Sequence, residues 1–178
     1  MKKADIIRKS RDWVERFVIG LHLCPFAKRP YDKNQVRFEV CLASEAEQQL
    51  TDLWKEIELL AKAPKEKISN AILIFPNGLN DFGEYLDFYF LAEKLLQEQN
   101  KDDQFQLASF HPDYQFENTE KNDVTNYTNR SPFPFIHILR IEEVAEAIDN
   151  YPEVDKVPGR NKKRLTEMGV DKIKQLGS

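Results

Sequence analysis

The feature that most constrains this chain is a continuous apolar segment, Ala71-Ile72-Leu73-Ile74-Phe75. Asn70 precedes it and Pro76-Asn77-Gly78 follows it, so turn-forming residues limit it to the length of a single strand. An uninterrupted apolar strand is typical of the centre of a sheet whose two faces are both covered by helices. The segment therefore predicts an α/β fold.

Apolar side chains at three- and four-residue spacing predict helices around this strand. One of them follows Ser44, which forms the pattern of a capping box with Glu47. Another follows Asp81, which forms the same pattern with Glu84. Shorter helices are predicted after the last strand, and the final one spans about 160–168.

Three further strands are predicted at about 36–42, 105–110 and 135–139. The first three strands of the chain alternate with helices, and helical crossovers join parallel strands. We therefore predict a single-domain α/β sandwich. Its mixed, mostly parallel sheet of about four strands is covered by helices.

Length and composition fit one domain over residues 1–178, beginning with a helix over about 4–21. The apolar fraction of 41% excludes a disordered chain. No apolar run approaches the ~18–20 residues of a membrane-spanning helix. The first helix has no secretion signal before it, and two cysteines without such a signal are typical of a reducing compartment. We expect a cytoplasmic protein with no membrane partner.

The net charge of -4 is unevenly distributed. Lys and Arg exceed Asp and Glu by 9 − 4 = 5 over residues 1–33 and by 7 − 3 = 4 over residues 155–178. Between these ends the balance is 10 − 23 = −13. Two basic ends could fold into one patch that attracts a small anionic ligand, whereas solvated helix faces are the structural alternative. The overall pI near 5.5 argues against a nucleic-acid partner.

Residues 111–134 lack clear periodicity and form an unusually long connection for a compact domain. The segment contains several aromatic residues and three prolines, a composition too apolar for a flexible linker. We predict an ordered loop that contributes to a site.

Cys24 lies in the motif LCPFA, residues 23–27, just ahead of Lys28 and Arg29. If the first helix ends just before Cys24, Pro25 can begin a new turn with Cys24 at its N-cap. Free backbone N–H groups and the two cations would then favour the thiolate, the form that acts as a nucleophile. If the helix continues through Cys24, or the thiol is simply buried, this residue is inert.

Two polar motifs follow the third strand. His111 comes directly after it, and Pro112 holds His111 extended at the edge where open α/β sheets commonly bind ligands. Asn129, Arg130 and Ser131 offer amide, guanidinium and hydroxyl donors that suit a carboxylate or phosphate. We predict an acid or base at His111 and substrate binding by the other three; a hydrogen-bonded loop histidine is the structural alternative.

The fourth strand carries His137 and Arg140, the remaining candidates for substrate binding. His137 shares its strand face with apolar neighbours, so a hydrogen-bonded core histidine is equally open. The direction of the strand decides which arginine lies near His111. An antiparallel strand beside the third places 129–131 there, and a parallel strand places Arg140 there.

A metal hypothesis arises because His22, Cys24, His111 and His137 would make a tetrahedral set of nitrogen and sulfur ligands. No ligand spacing supports it, so no metal is assigned. The six glycines form no phosphate-binding loop, and the cofactor remains unknown.

Four motifs occur in order: Leu-Cys-Pro-Phe-Ala (23–27), Phe-His-Pro-x-Tyr-x-Phe (110–116), Asn-Arg-Ser-Pro-Phe-Pro (129–134) and His-Ile-Leu-Arg (137–140). Together they resemble the bacterial and plastid family known as domain of unknown function fourteen-fifteen. The resemblance covers roughly residues 10–170 and extends to Arg160-Asn161. It implies no established activity, substrate or catalytic residue, but it directs attention to the same side chains.

These observations lead to a first hypothesis, a cytosolic small-molecule enzyme acting on an anionic substrate. Cys24 would be its nucleophile or redox thiol, His111 its acid or base, and Arg130 with Asn129 its anion clamp. A non-catalytic ligand-binding or protein-interaction domain is the alternative, in which the same residues hold the long loop in place. A metal-binding protein is the third.

Overall fold

A four-stranded sheet organises the computed structural model, which describes residues 1–177. Its strands are β1 (Val36–Val40), β2 (Asn70–Ile74), β3 (Phe105–Phe110) and β4 (Phe135–Arg140). They lie in the order β1-β2-β4-β3, with β1 parallel to β2 and β4 antiparallel to both of its neighbours. Ser178, the last residue of the expected domain, lies outside the described residues.

The prediction of a mixed α/β fold with four strands is confirmed, but the prediction that the sheet is mostly parallel is wrong. Only the β1–β2 pair is parallel. No α-helix separates β3 from β4, so β4 returns antiparallel to β3 and lies between β3 and β2. The three strands that alternate with helices do run in one direction, as their helical connections predict.

Helices cover both faces of this sheet. Within residues 1–177 they are α1 (Lys3–Trp13), α2 (Lys28–Asp32), α3 (Ala46–Lys62), α4 (Phe82–Glu98), α5 (Ile141–Asp149), α6 (Val157–Met168) and α7 (Val170–Gly177). A π-helix (Val14–Ile19) continues α1, and short 3₁₀ turns occur at Val124–Thr128 and Val154–Lys156. None of these helices is long and apolar enough to cross a membrane.

The apolar residues divide into two clusters, one on each side of the sheet. Leu73 and Ile136 face α3 and α4, where they pack with Leu53. Ile72 and Phe135 face the opposite side, where they pack with residues of α1, the π-helix, α6 and α7. Every residue of β2 is buried, which confirms the prediction of a central strand covered on both faces.

The N-terminal helix changes type along its length. The N–H of Gly20 donates to the Glu15 carbonyl and that of Leu23 to the Val18 carbonyl, both at 2.9 Å, so the bonds span five residues. A Cβ atom at Gly20 would collide with the carbonyl oxygen of Arg16. The helical backbone ends in this turn, before Cys24.

The two predicted capping boxes have different outcomes. The Asp81 carboxylate accepts hydrogen bonds from the N–H groups of Gly83 and Glu84, at 2.8 and 3.1 Å, and so caps α4. The prediction of a capping box at Ser44 is wrong, because the N-cap of α3 is Glu45, one residue later. The Ser44 hydroxyl donates to the Glu45 carboxylate instead.

The connection between β3 and β4 is organised around the buried side chain of Asn126. Its Oδ1 accepts hydrogen bonds from the Phe116 N–H at 3.0 Å and the Thr119 hydroxyl at 2.9 Å. Its Nδ2 donates to the Glu120 carbonyl at 2.9 Å. One amide therefore joins two parts of a loop that has no sheet or α-helix of its own.

Candidate functional site

A cavity of about 480 Å³ lies beside Cys24. Its walls are formed by the π-helix and the segment that follows it, the end of β3, the 3₁₀ turn of the long loop and the first turns of α6, and it is open to solvent on one side. Its apolar wall is formed by Val18, Leu23, Phe110, Phe116, Val157 and Pro158. Its polar residues are Cys24, Thr125, Thr128, Asn129, Asn161 and Lys162. We call this space the Cys24 cavity.

Cys24 begins a tight turn, in which the Ala27 N–H donates to the Cys24 carbonyl at 3.4 Å. The backbone N–H groups of Phe26 and Ala27 act on the Cys24 sulfur to lower the pKa of its thiol, which favours the thiolate. Burial opposes them and is the larger effect, so the pKa of the thiol is raised above its ordinary value. The thiol is therefore protonated at neutral pH.

The two cations that follow Cys24 are engaged elsewhere. The Lys28 ammonium pairs with Asp32 at 2.7 Å, and the Arg29 guanidinium lies 3.8 Å from Glu146. Cys24 is also not a helix N-cap, because α2 begins at Lys28 with Ala27 in that position. Of the features expected to activate this thiol, only the backbone N–H groups are in place.

Helix α6 holds the Cys24 segment from its N-terminal side. The Nδ2 of Asn161 donates to the Leu23 carbonyl at 2.7 Å, and the guanidinium of Arg164 donates to the Leu21 carbonyl. Three residues apart on α6, the two side chains share one helix face. They satisfy carbonyl groups where the N-terminal helical segment has ended.

A second contact from the same region holds the other end of the segment. Arg160 donates to the Tyr151 hydroxyl at 2.7 Å, and the Tyr151 ring meets the Phe26 ring edge-on with centroids 6.1 Å apart. The motif that contains Cys24 is thus held on both sides by residues from the last third of the chain. Arg164 and Tyr151 are absent from the sequence prediction, because no local pattern links them to residues more than a hundred positions away.

His111 is fully buried on the side of the sheet that faces α4, and it is not among the residues that line the Cys24 cavity. Its Nδ1 accepts the Asp113 N–H at 3.0 Å, so its Nε2 carries the proton and donates to the Leu79 carbonyl at 3.0 Å. Burial is the main cause that lowers its pKa. The ring is therefore neutral, and both nitrogens are engaged by the backbone.

The antiparallel direction of β4 decides the alternative left open by the sequence, because it places residues 129–131 beside His111. The backbone N–H of His111 donates to the Asn129 carbonyl at 3.1 Å, and the Asn129 Nδ2 donates to the Ser109 carbonyl at 3.0 Å. Asn129 also lines the Cys24 cavity. It is the one member of the predicted anion-binding set that does so.

Arg130 and Ser131 direct their donors into the loop. The Arg130 Nε donates to the Tyr114 carbonyl at 3.0 Å, and its Nη2 donates to the Lys121 carbonyl at 2.7 Å. The same guanidinium lies 4.6 Å from the centre of the Tyr127 ring. The buried Ser131 hydroxyl donates to the Phe133 carbonyl. These contacts stabilise the loop and leave Arg130 outside the cavity.

His137 lies within the sheet, paired with Ile72 on β2 and Ala108 on β3. Its Nε2 is 2.8 Å from the Oδ1 of Asn70, which makes this nitrogen the donor. Burial lowers its pKa to about 4. This geometry is that of a neutral, hydrogen-bonded histidine of the sheet.

Arg140 lies at the far end of β4 from residues 129–131. Its Nη2 donates to the carbonyls of Leu60 at 2.6 Å, Ala63 at 2.9 Å and Ile68 at 3.3 Å, and so it caps the C-terminus of α3. It also lines a second cavity, of about 460 Å³, between α2, α5 and the connection that precedes β2. Within that cavity its Nε is 4.0 Å from the Glu143 carboxylate.

The hypothetical four-ligand metal site does not form. Across residues 1–177, no three side chains of His, Cys, Asp or Glu come together in a way that could hold a metal ion. The nitrogens of His111 and the Nε2 of His137 are instead hydrogen-bonded to other groups, as described above.

Fold and site together define a mixed α/β protein with a partly open cavity between its N-terminal helical segment, its long loop and α6. The chain belongs to the family described as "Protein of unknown function (DUF1415)", whose model matches residues 5–175. The resemblance inferred from the four motifs is thereby confirmed. A search of curated proteins found no match, and a search of solved structures found none.

Proposed function

We propose that this protein binds a small molecule in the Cys24 cavity. The observation that carries the proposal is the convergence of Cys24, Asn129 and Asn161, which are far apart in sequence, on one space of about 480 Å³. Sites for small ligands typically occupy about 300–1,000 Å³ and combine an apolar wall with a few polar groups. The Cys24 cavity has this size and this composition.

The packing around the cavity supports a binding role over a purely structural one. The Cys24 cavity is a partly open cleft at the edge of the core rather than a void inside it, so a ligand can enter from solvent. Leu23, which lines the cavity, is almost fully buried in the cluster formed with α1 and the π-helix, so this part of the core is well packed. A large space at its edge, with polar side chains in its wall, is a feature that a ligand would explain.

The same cavity supports the expectation of an anionic ligand through a different cation from the one predicted. Arg130 is occupied by loop carbonyls, whereas Lys162 lines the cavity and is exposed. In this proposal Lys162 attracts the anionic group, Asn129 and Asn161 supply polar contacts, and the apolar wall holds the body of the ligand.

Protection of Cys24 from alkylation tests the proposal. Iodoacetamide is added with and without 8-anilinonaphthalene-1-sulfonate, an aromatic anion, and modification of Cys24 and Cys41 is followed by mass spectrometry. Cys41 is buried and remote from the cavity lining, so it reports any global opening. We expect the probe to slow modification of Cys24 alone.

A cavity-filling variant provides the matched control. Val18→Trp should abolish the protection, because Val18 lines the cavity, while Ile148→Trp on the exposed surface of α5 should retain it. Circular dichroism verifies that both variants fold. Equal modification rates with and without the probe in the wild type would refute a ligand site at Cys24.

A thiol-dependent enzyme is the second candidate, and the N–H groups of Phe26 and Ala27 at the Cys24 sulfur favour it. His111 would then not act as a base, because both of its ring nitrogens are engaged, and only its backbone N–H contacts Asn129. The substitution Cys24→Ser distinguishes the candidates. In a thiol enzyme, Cys24→Ser abolishes catalysis although 8-anilinonaphthalene-1-sulfonate still binds. In a binding protein, the variant binds its ligand as well as the wild type does.

A further inference from the structure

The guanidinium of Arg140 has one nitrogen that the fold does not use. The side chain is only 10% exposed, its Nη2 donates to the carbonyls at the end of α3, and its Nε is sealed from solvent. Nη1, by contrast, keeps access to solvent and donates to no group within residues 1–177. A largely buried cation therefore retains N–H donors that an incoming group can reach.

Glu143 has the complementary feature. Its side chain is 28% exposed, and its Oε2 lies 4.0 Å from the Arg140 Nε, where both atoms are sealed from solvent. The other carboxylate oxygen, Oε1, remains accessible and accepts no hydrogen bond from the described part of the chain. The two side chains thus present one free donor and one free acceptor, of opposite charge, beside each other.

Both residues line the second cavity, of about 460 Å³, which we call the Arg140 cavity. It is partly open to solvent, and its volume lies within the range of about 300–1,000 Å³ that is typical of sites for small ligands. Its apolar wall is formed by Pro25, Phe26, Leu139, Val144, Ala147 and Tyr151. The free ends of the charged pair therefore meet an apolar surface in one cleft.

The charges around this cleft favour neither sign strongly. The other charged residues that line it are Arg29, Lys33, Lys65, Glu66 and Glu146. Arg29 and Glu146 lie 3.8 Å apart, and Lys65 pairs with Glu142 at 3.5 Å. A simple anion at Arg140 would be repelled by Glu143, and a simple cation at Glu143 would be repelled by Arg140. A ligand that carries both charges avoids both repulsions.

We propose that the Arg140 cavity binds an α-amino acid with an apolar side chain. Such a molecule carries its carboxylate and its ammonium on one carbon, so the carboxylate accepts from Nη1 of Arg140 while the ammonium donates to Oε1 of Glu143. Its side chain lies against the apolar wall. The Cys24 cavity shares no lining residue with this site, so the inference goes beyond the proposed function and does not depend on it.

Three probes with the same phenyl group separate the two charged contacts without altering the protein. L-Phenylalanine has both charges, 3-phenylpropionate lacks the ammonium, and 2-phenylethylamine lacks the carboxylate. Titration calorimetry at pH 7 should give binding of L-phenylalanine about 10- to 100-fold tighter than that of either analogue, as one charged hydrogen bond allows. Equal affinities for the three probes, or no binding of L-phenylalanine and of the smaller L-leucine at millimolar concentration, would overturn the proposal.

Two acidic residues of α5 test the ammonium contact. Glu143→Gln keeps the size of the side chain, should weaken binding of L-phenylalanine about 10-fold and should not weaken binding of 3-phenylpropionate. Asp149→Asn is the matched control, because Asp149 is exposed and does not line the cavity. It should change neither affinity. Equal effects of the two substitutions on L-phenylalanine would overturn the role of Glu143.

Two alanines of the same helix test the location of the site, and they spare Arg140, whose loss would also uncap α3. Ala147→Trp fills the cavity and should abolish binding of L-phenylalanine, whereas the exposed Ala145→Trp should retain it. Circular dichroism verifies that both variants fold. Retained binding in Ala147→Trp would place the amino acid elsewhere and overturn the proposal. Protection of Cys24 by 8-anilinonaphthalene-1-sulfonate should persist in both variants, so failure here and failure of the proposed function are distinguishable.

Discussion

The side-chain amide of Asn161 donates a 2.7 Å hydrogen bond to the backbone carbonyl of Leu23, 138 positions earlier in the chain. Both residues are buried, so this bond is sheltered from water. It fixes the backbone immediately before Cys24 to the first turns of α6. The position of Cys24 therefore depends on α6, a helix near the C-terminal end of the sequence.

Removal of this bond should both destabilise the protein and expose the thiol. Asn161→Leu leaves the Leu23 carbonyl buried without a partner, which should lower the free energy of unfolding by about 1–3 kcal/mol. The rate at which iodoacetamide modifies Cys24 in the folded protein should rise. Urea denaturation and alkylation kinetics measure the two effects.

Asn150 provides the control for that experiment. Its Nδ2 donates to the Glu146 carbonyl at 2.7 Å, but the residue is exposed. Asn150→Leu should therefore change the unfolding free energy by less than about 0.5 kcal/mol and leave Cys24 reactivity unchanged. If the two substitutions behave alike, the Asn161–Leu23 bond does not position the cysteine.

The pH dependence of alkylation should show that burial dominates the chemistry of Cys24. Because burial raises the pKa of the thiol despite the N–H groups of Phe26 and Ala27, the alkylation rate should reach half its maximum above the pKa of an ordinary cysteine. The measurement uses Cys41→Ala, which leaves one thiol, and the urea-unfolded chain serves as the reference. A midpoint below that of the unfolded chain would instead favour the enzyme.

Stability should fall as the pH is lowered, partly because of His137. Its pKa is about 4 in the folded protein and about 6.5 in an unfolded chain, so the unfolded state binds more protons between these values. The contribution of the neutral His137 ring to the free energy of unfolding is therefore at its maximum above pH ~6.5 and decreases as the pH falls toward ~4. The pKa of His111 is lowered as well, and its contribution has the same sign.

A variant separates the contribution of His137 to the pH dependence of stability from that of Asp and Glu side chains, which also become protonated as the pH falls. His137→Gln can still donate to the Asn70 Oδ1 but cannot be protonated in this range. Urea denaturation at pH 7.5 and pH 4.5 should show a smaller loss of stability in the variant, by about 2–3 kcal/mol at most. Identical losses in the two proteins would show that His137 is protonated equally easily when folded and unfolded.

The positions of the strands follow from local patterns, whereas the direction of β4 and the order of the strands in the sheet do not. The apolar run at 71–75 and the alternation in β1 depend on neighbouring residues, so sequence alone predicts them. The insertion of β4 between β2 and β3 depends on how a long loop folds. That loop is organised by Asn126 through hydrogen bonds to residues up to ten positions away, for which no periodic signal exists.

The candidate site divides in the same way. Of the residues singled out by sequence, Cys24 and Asn129 line the cavity. The role of a polar side chain depends on which carbonyl it meets after folding. Sequence alone could not show that the guanidinium groups of Arg130 and Arg140 donate to backbone carbonyls. It also could not show that Lys162 lines the cavity.

Substitution of Arg130 should distinguish a loop anchor from an anion clamp. Arg130→Lys loses the paired donation to the Tyr114 and Lys121 carbonyls and the planar contact with Tyr127, so the unfolding free energy should fall by about 1–2 kcal/mol. Binding of 8-anilinonaphthalene-1-sulfonate should change little, because Arg130 does not line the cavity.

Arg8→Lys is the control, since Arg8 is an exposed partner of Asp5 at 3.2 Å. This substitution should change neither the unfolding free energy nor the affinity for the probe. A large loss of probe affinity at unchanged stability would instead identify Arg130 as a residue that binds the anion directly.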